Sequence, residues 1–196
     1  MNMKYKVLSA LLGACCLSTV PVCGQPKNSE GAPSAENAVI ETIYARRSIR
    51  RFKPQPVSRE LMKIILDCGI NAPNGQNRQS WEVRVVDNPE WDSENIVRRG
   101  FFNAPVMVFV ANDPTYPFSQ IDCGLLCENM MLAAQSLGIG SICVASPVRA
   151  IRQSPALLEK LGFSEGYELL ICVGFGYADQ SPEAKPRDPG KVKFVE

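Results

Sequence analysis

Apolar positions repeat at two intervals along this chain. At helical spacing stand Val39, Ile40, Ile43 and Tyr44 within Asn37–Arg47, then Leu61, Ile64, Ile65 and Cys68 in a stretch that Ser58 caps and that runs to about Ile70. Ala72-Pro73-Asn74-Gly75 stops that second helix. Trp81–Val86 alternates as a strand does, with Trp81, Val83 and Val85 on one face, and residues 87–100 read as loop plus a short helix. Val106–Ala111 is apolar throughout and predicts a strand buried on both faces. Ser119-Gln120-Ile121-Asp122 has the pattern of a capping box opening a long helix to about Leu137. A short strand over Ser141–Ala145, one helix over 148–161 and a buried strand over Glu168–Val173 complete the series.

Helices and strands mixed in this order, without an internal repeat, predict an α+β layer structure. The helix 119–137 is apolar on nearly every side, with Glu128, Asn129 and Gln135 the main interruptions. Such a helix must be surrounded by protein, and in a chain of 196 residues a partner subunit is a natural way to do so.

The N-terminus has a different pattern. Lys4 and Lys6 precede an apolar run, Val7 to Val22, interrupted only by Ser9, Gly13, Ser18, Thr19 and Pro21. That is the layout of a secretory signal over residues 1–24, too short and broken to span a bilayer. One scheme cleaves after Gly24; another reads Leu12-Gly13-Ala14-Cys15 as a lipobox, with Cys15 as a lipid anchor. The expected location is therefore exported, periplasmic or anchored to a membrane; the alternative is an uncleaved apolar terminus on a cytoplasmic protein. Residues 25–38, rich in Pro, Gly, Ser and Ala, read as a flexible linker, and 39–196 as the functional domain.

Removing 1–24 takes two lysines and no acids, so the net charge moves from +1 to −1. Neither value calls for nucleic acid as a partner. It also leaves five of the eight cysteines, all in apolar segments, where they read as small buried hydrophobes. Cys123 and Cys127 share a helix face, but two sulfurs alone make no metal site, and none is expected. The chain contains no histidine, which excludes Ser-His-Asp and Cys-His catalysis and His-ligated zinc. A cofactor is then the natural carrier of any chemistry.

Three polar clusters offer places to hold one. Arg46-Arg47-Ser48-Ile49-Arg50-Arg51-Phe52 sets four arginines around a hydroxyl, a donor set suited to phosphate oxygens or simply a solvated face. Residues 72–81, APNGQNRQSW, are dense in side-chain amides, which match a heterocycle edge or an ordinary turn. Ala184-Lys185-Pro186-Arg187 adds two cations near the C-terminus. Gly138-Ile139-Gly140 and Gly174-Phe175-Gly176 lack the third glycine of a dinucleotide fingerprint.

In this order RRSIRRF, APNGQNRQSWEVRVV, FFNAPVMVFV, DCGLLCENMMLAAQSLGIGSICVAS and LLICVGFGYADQSPEAKPR resemble the nitroreductase family of FMN-dependent oxidoreductases, from about Ala38 to about Phe194. The resemblance implies a three-layer α+β fold, a central mixed or antiparallel sheet flanked by helices, and a homodimer with FMN at the subunit interface. It implies that Arg46, Ser48, Lys185 and Arg187 hold the phosphate, with Arg47 in the same motif and Arg50 nearer the pyrimidine edge. Pro73, Asn74 and Asn77 would line the ring, and backbone groups of Ala145 and Ser146 would approach N5. Arg98 and Arg99 are alternatives for a further cation at the ring.

Two departures stand out. Many relatives have Ser-Ser where this chain has Asn74-Gly75, and the stretch between Trp81 and Ala104 is short, which predicts a reduced cover over the substrate. No protein side chain need act as acid or base, because in this family the flavin N5 carries the hydride. The implied reaction is ping-pong transfer from NAD(P)H or another small donor to a nitroaromatic, quinone or similar acceptor. The alternatives are a flavin-binding electron-transfer protein and a flavin- or peptide-modifying relative.

Overall fold

The structure, a computed structural model, describes residues 37–196. The expected signal, its Cys15 lipobox and residues 25–36 of the expected linker lie outside the described residues. The linker ends sooner than its composition implies. Asn37 Oδ1 accepts from the N–H groups of Val39 (2.9 Å) and Ile40 (3.4 Å) and so caps helix α1, Ala38–Ala45.

Four strands, β1 (Trp81–Val86), β2 (Val106–Asn112), β3 (Gly140–Val144) and β4 (Glu168–Gly176), form one antiparallel sheet in the order β1-β2-β4-β3. Every residue of β2 is buried. Val106, Val108 and Val110 face helices α2 (Arg59–Ile70) and α3 (Ser119–Ser136), while Met107 and Phe109 face α4 (Ser146–Arg152) and α5 (Pro155–Leu161). The sheet is thus the middle of three layers. In β4 a bulge at Leu170 breaks the alternation, so Leu169 and Cys172 reach the same core. Among the described residues no helix is long and apolar enough to cross a membrane.

Several elements differ from the pattern-based expectation. In α2 the Ser58 hydroxyl accepts from Leu61 N–H (3.3 Å), as predicted, but the buried stripe is Met62, Ile65 and Gly69. Ile64 and Cys68 face outward instead. The face is set by close approach to α3: a Cβ on Gly69 would stand 2.5 Å from Met130 Cγ. Val85 is exposed because β1 is an edge strand, and it lines a surface groove with Val86 and Trp91. Residues 148–161 form two helices, since Pro155 has no N–H to continue the first; α4 starts early, at Ser146, and takes Ala145 out of the strand.

The longest departure is β4, which runs through both glycines to Gly176. A Cβ on Gly176 would lie 2.5 Å from Pro105 Cδ and 2.9 Å from Phe52 Cδ1. These glycines serve close packing.

The capping-box pattern also has another use. Phe118 occupies the N-cap of α3, without a side-chain cap. Ser119 Oγ instead accepts from Asn112 Nδ2 (2.9 Å), and the buried Asp122 carboxylate accepts from Gly75 N–H (3.1 Å) and Ser80 Oγ–H (3.4 Å). The two acceptors of the pattern therefore tie α3 to the end of β2 and to the loop before β1.

Candidate functional site

The arginine-rich segment after α1 runs as an extended strip along the sheet. Ser48 bridges Ser141 of β3 in parallel, Ile49 N–H donates to Ser141 O (2.9 Å), and Lys53 N–H donates to Tyr177 O (2.9 Å). Period-two alternation follows. Ile49 points inward and is buried, while Arg46, Ser48 and Arg50 line a groove of about 480 Å³. Lys185 and Arg187 line the same groove, as do Glu183 and, next to Arg46, Glu128 of α3. The groove thus collects cations separated by nearly 140 positions in sequence.

The four arginines of the segment have four different situations. Arg46, 23% exposed, pairs through Nε with Glu128 at 3.6 Å. Arg47 lines the groove, but its Nη1 donates to the carbonyls of Tyr44 and Arg46 and so ties down the end of α1. Arg50 lies over the Phe102 ring, 5.8 Å from its centroid. Arg51 is engaged by Asp179 (3.2 Å) and lies outside the groove. Ser48 Oγ finds no hydrogen-bond partner among the described residues, which leaves it open to a ligand.

The amide-rich loop is a second cluster, and its residues do not line this groove. Gln76, Asn77 and Gln79 all take left-handed backbone conformations, with φ of 56°, 53° and 49°. Asn74 spends its amide inside the loop, accepting from Gln79 N–H (2.9 Å) and donating to Ala72 O (3.3 Å). Gly75 is required here: a Cβ would fall 2.0 Å from the Tyr116 hydroxyl. Pro73 and Asn77 are exposed, and the Asn77 amide has no partner among the described residues.

A third cluster surrounds the start of α4. Ala145 and Ser146 are exposed, and Ser146 Oγ donates to Gly100 O (3.4 Å). Gly100 belongs to the 3-10 turn Arg98–Phe101, which leads into Phe102 under Arg50. Arg98 is committed to Ala104 O and Asn88 O, both at 3.3 Å, whereas Arg99 is exposed. The buried Asp92 organises this short cover by accepting from the N–H groups of Ile96, Val97 and Arg98 at 2.9, 2.9 and 2.6 Å. Sequence spacing offered no signal for Asp92, because it acts on main-chain groups, and for Asp122 it signalled a local cap and not this tie.

The five cysteines among the described residues are free thiols. Burial pushes Cys123 up to about 12 and raises Cys127 and Cys172 further. Burial also raises Cys143, with Glu128 adding to the shift and Arg46 opposing it. These four buried or half-buried thiols are not ready nucleophiles.

Comparison with known proteins decides what the clusters belong to. The model of the nitroreductase family matches residues 43–96 and 92–177. The chain belongs to the nitroreductase family. It is 30% identical over 180 residues to the NADPH-flavin oxidoreductase of Vibrio harveyi, covering 80% of this chain and 72% of that protein. A nitroreductase from Desulfitobacterium hafniense, solved with bound FMN, superposes with a TM-score of 0.74 at 34% identity over 82% of this chain and 99% of its own. A nitroreductase from Bacteroides fragilis, also solved with bound FMN, gives 0.73 at 29% identity over 82% of this chain and 100% of its own. The groove suits the phosphate of such a nitroreductase cofactor. It offers Arg46, Arg50, Lys185 and Arg187, and the Ser48 hydroxyl stands unpartnered among them.

Proposed function

We propose that this nitroreductase is an FMN-dependent oxidoreductase whose complete site forms between two copies of the chain. The observation that carries the reading is the groove in which Arg46, Ser48, Arg50, Lys185 and Arg187 converge. FMN, when bound, supplies a carrier that takes up a hydride and passes it on. Arg46, Ser48, Lys185 and Arg187 bind its phosphate. Arg50, held by Phe102, places positive charge where the pyrimidine edge gathers electron density. Pro73, Asn74 and Asn77 border the ring, with the Asn77 amide free to meet its polar atoms and Asn74 shaping the loop. Main-chain groups at Ala145 and Ser146 face the reacting side; Pro147, without an N–H, contributes none.

The homodimer is supported by apolar surface. Val39, Ile43 and Tyr44 of α1 are 65%, 50% and 73% exposed, so the stripe expected to enter a core is bare in one chain. Ile121 and Leu125 on the outer face of α3 are exposed too, at 60% and 39%. A second copy covering these faces also accounts for the distance between the Pro73–Asn77 loop and the groove in one chain. The donor is a reduced nicotinamide, in line with the flavin oxidoreductase relative, or another small reductant, and the acceptor is a nitroaromatic, quinone or similar compound.

The test is the visible spectrum and solution mass of the purified protein. A yellow dimer releasing FMN at about one per chain on heating is the expected result. A colourless monomer that takes up no added FMN overturns the reading.

The same proposal places the enzyme outside the cytoplasm, on the strength of Lys4, Lys6 and the apolar run to Val22. Its check is the N-terminal mass of protein recovered from producing cells. Loss of the leader is expected; retention of Met1 in the soluble cytoplasm overturns it.

A further inference from the structure

Among the groups lining the cationic groove, Glu128 and Glu183 have the wrong sign for a phosphate site, and of the two only Glu128 pairs with a groove arginine. It projects from α3, the helix that also carries Asp122, and stands 3.6 Å from Arg46 while 46% exposed. Simple electrostatics makes it a liability: a carboxylate beside an incoming dianion repels it. Geometry gives the opposite sign. The contact is with Nε, on the side of the guanidinium next to the chain, so both Nη groups remain without a partner among the described residues. Arg46 is the last residue of the turn leaving α1, with φ −58° and ψ 136°, and its flexible side chain would otherwise sample many rotamers over an open groove.

We infer that Glu128 is a positioning residue for the phosphate subsite: it grips Arg46 by Nε and presents the Nη edge to the FMN phosphate. This inference rests on the groove being the phosphate site. A guanidinium is a planar fork, so fixing one edge orients the other, and bidentate phosphate recognition depends on that orientation. The entropy of ordering Arg46 is then met during folding and is not charged to cofactor binding. Arg47 is held by main-chain carbonyls and Arg51 by Asp179, so neither substitutes for it.

Charge and positioning predict opposite effects, and this makes the inference testable. The measurement is flavin affinity of the full chain stripped of cofactor, titrated separately with FMN and with riboflavin, which lacks the phosphate. Wild type is expected to prefer FMN. In Glu128→Ala the preference for FMN over riboflavin should fall about tenfold, with riboflavin affinity unchanged. Glu128→Gln, which keeps the size but removes the charge from a contact that at 3.6 Å is an ion pair and not a hydrogen bond, should lose most of the preference. Glu128→Asp, too short to reach Arg46, should behave like the alanine variant; the Gln and Asp variants decide the matter if the alanine variant fails to fold. An unchanged or increased FMN preference in Glu128→Ala and Glu128→Asp overturns the positioning role. A wild-type protein that binds FMN and riboflavin equally overturns the phosphate assignment of the groove itself, a distinct outcome.

Discussion

Asp122→Ala is expected to destabilise the folded chain by about 3 kcal/mol, from the loss of charge-assisted hydrogen bonds and the exposure of unpaired buried donors. The carboxylate is 3% exposed and serves Gly75 N–H and Ser80 Oγ–H across two elements. Without it, the buried Ser80 hydroxyl and the half-buried Gly75 N–H lose their acceptor. The loop they anchor has three consecutive-region residues in left-handed conformations, each costing on the order of 1 kcal/mol, and it persists because its surroundings over-determine it. Loss of the tie should therefore loosen Asn77 as well as lower stability. Equilibrium denaturation measures the first effect and flavin titration the second. Asp122→Asn, which keeps one acceptor oxygen, should recover part of both. An unfolding free energy within about 0.5 kcal/mol of wild type in Asp122→Ala would show that the tie carries no weight.

Arg46→Ala is expected to weaken FMN binding about a hundredfold, and Arg187→Ala about tenfold, the two differing by burial and preorganisation. Arg46 is 23% exposed and held by Glu128, so its interaction with a phosphate is weakly screened. Arg187 is exposed and its one hydrogen bond, to Lys185 O at 3.2 Å, is local. Its contribution should shrink as salt rises from low ionic strength to several hundred millimolar, while that of Arg46 persists. Neither substitution should move the unfolding midpoint far, since neither side chain sits in either core. Fluorescence titration at two salt concentrations checks both statements. Equal FMN affinity in wild type and Arg46→Ala would remove this residue from the phosphate site.

Much of the groove's lining was legible because it depends on residue type. Arg46, Ser48, Arg50, Lys185 and Arg187 are the right donors for a phosphate, and they appear in a recognisable order around apolar segments. Their individual duties were not legible. Arg46, Arg47, Arg50 and Arg51 look equivalent in a run of charges, yet only the pairing of this segment with β3 and β4 decides which ones turn to the groove. Ser119 and Asp122 show the same limit from the other direction. Their spacing fits a local cap, and the acceptors were instead spent on partners 7 to 47 positions away.

What the sequence determined by itself was local. Hydrophobic period placed the strands and most helices, since burial of one face is a property of a short segment. The absence of histidine excluded histidine catalysis and pointed to a cofactor, and the resemblance of the ordered motifs to a known family pointed to a flavin. The tertiary structure alone decided which faces meet. Gly69 against Met130 turned α2, and Gly176 under Pro105 extended β4. It also decided that the apolar stripe of α1 is exposed and that Glu128 stands 3.6 Å from Arg46. These outcomes rest on contacts between distant segments, whose free energy depends on geometry that no local window contains.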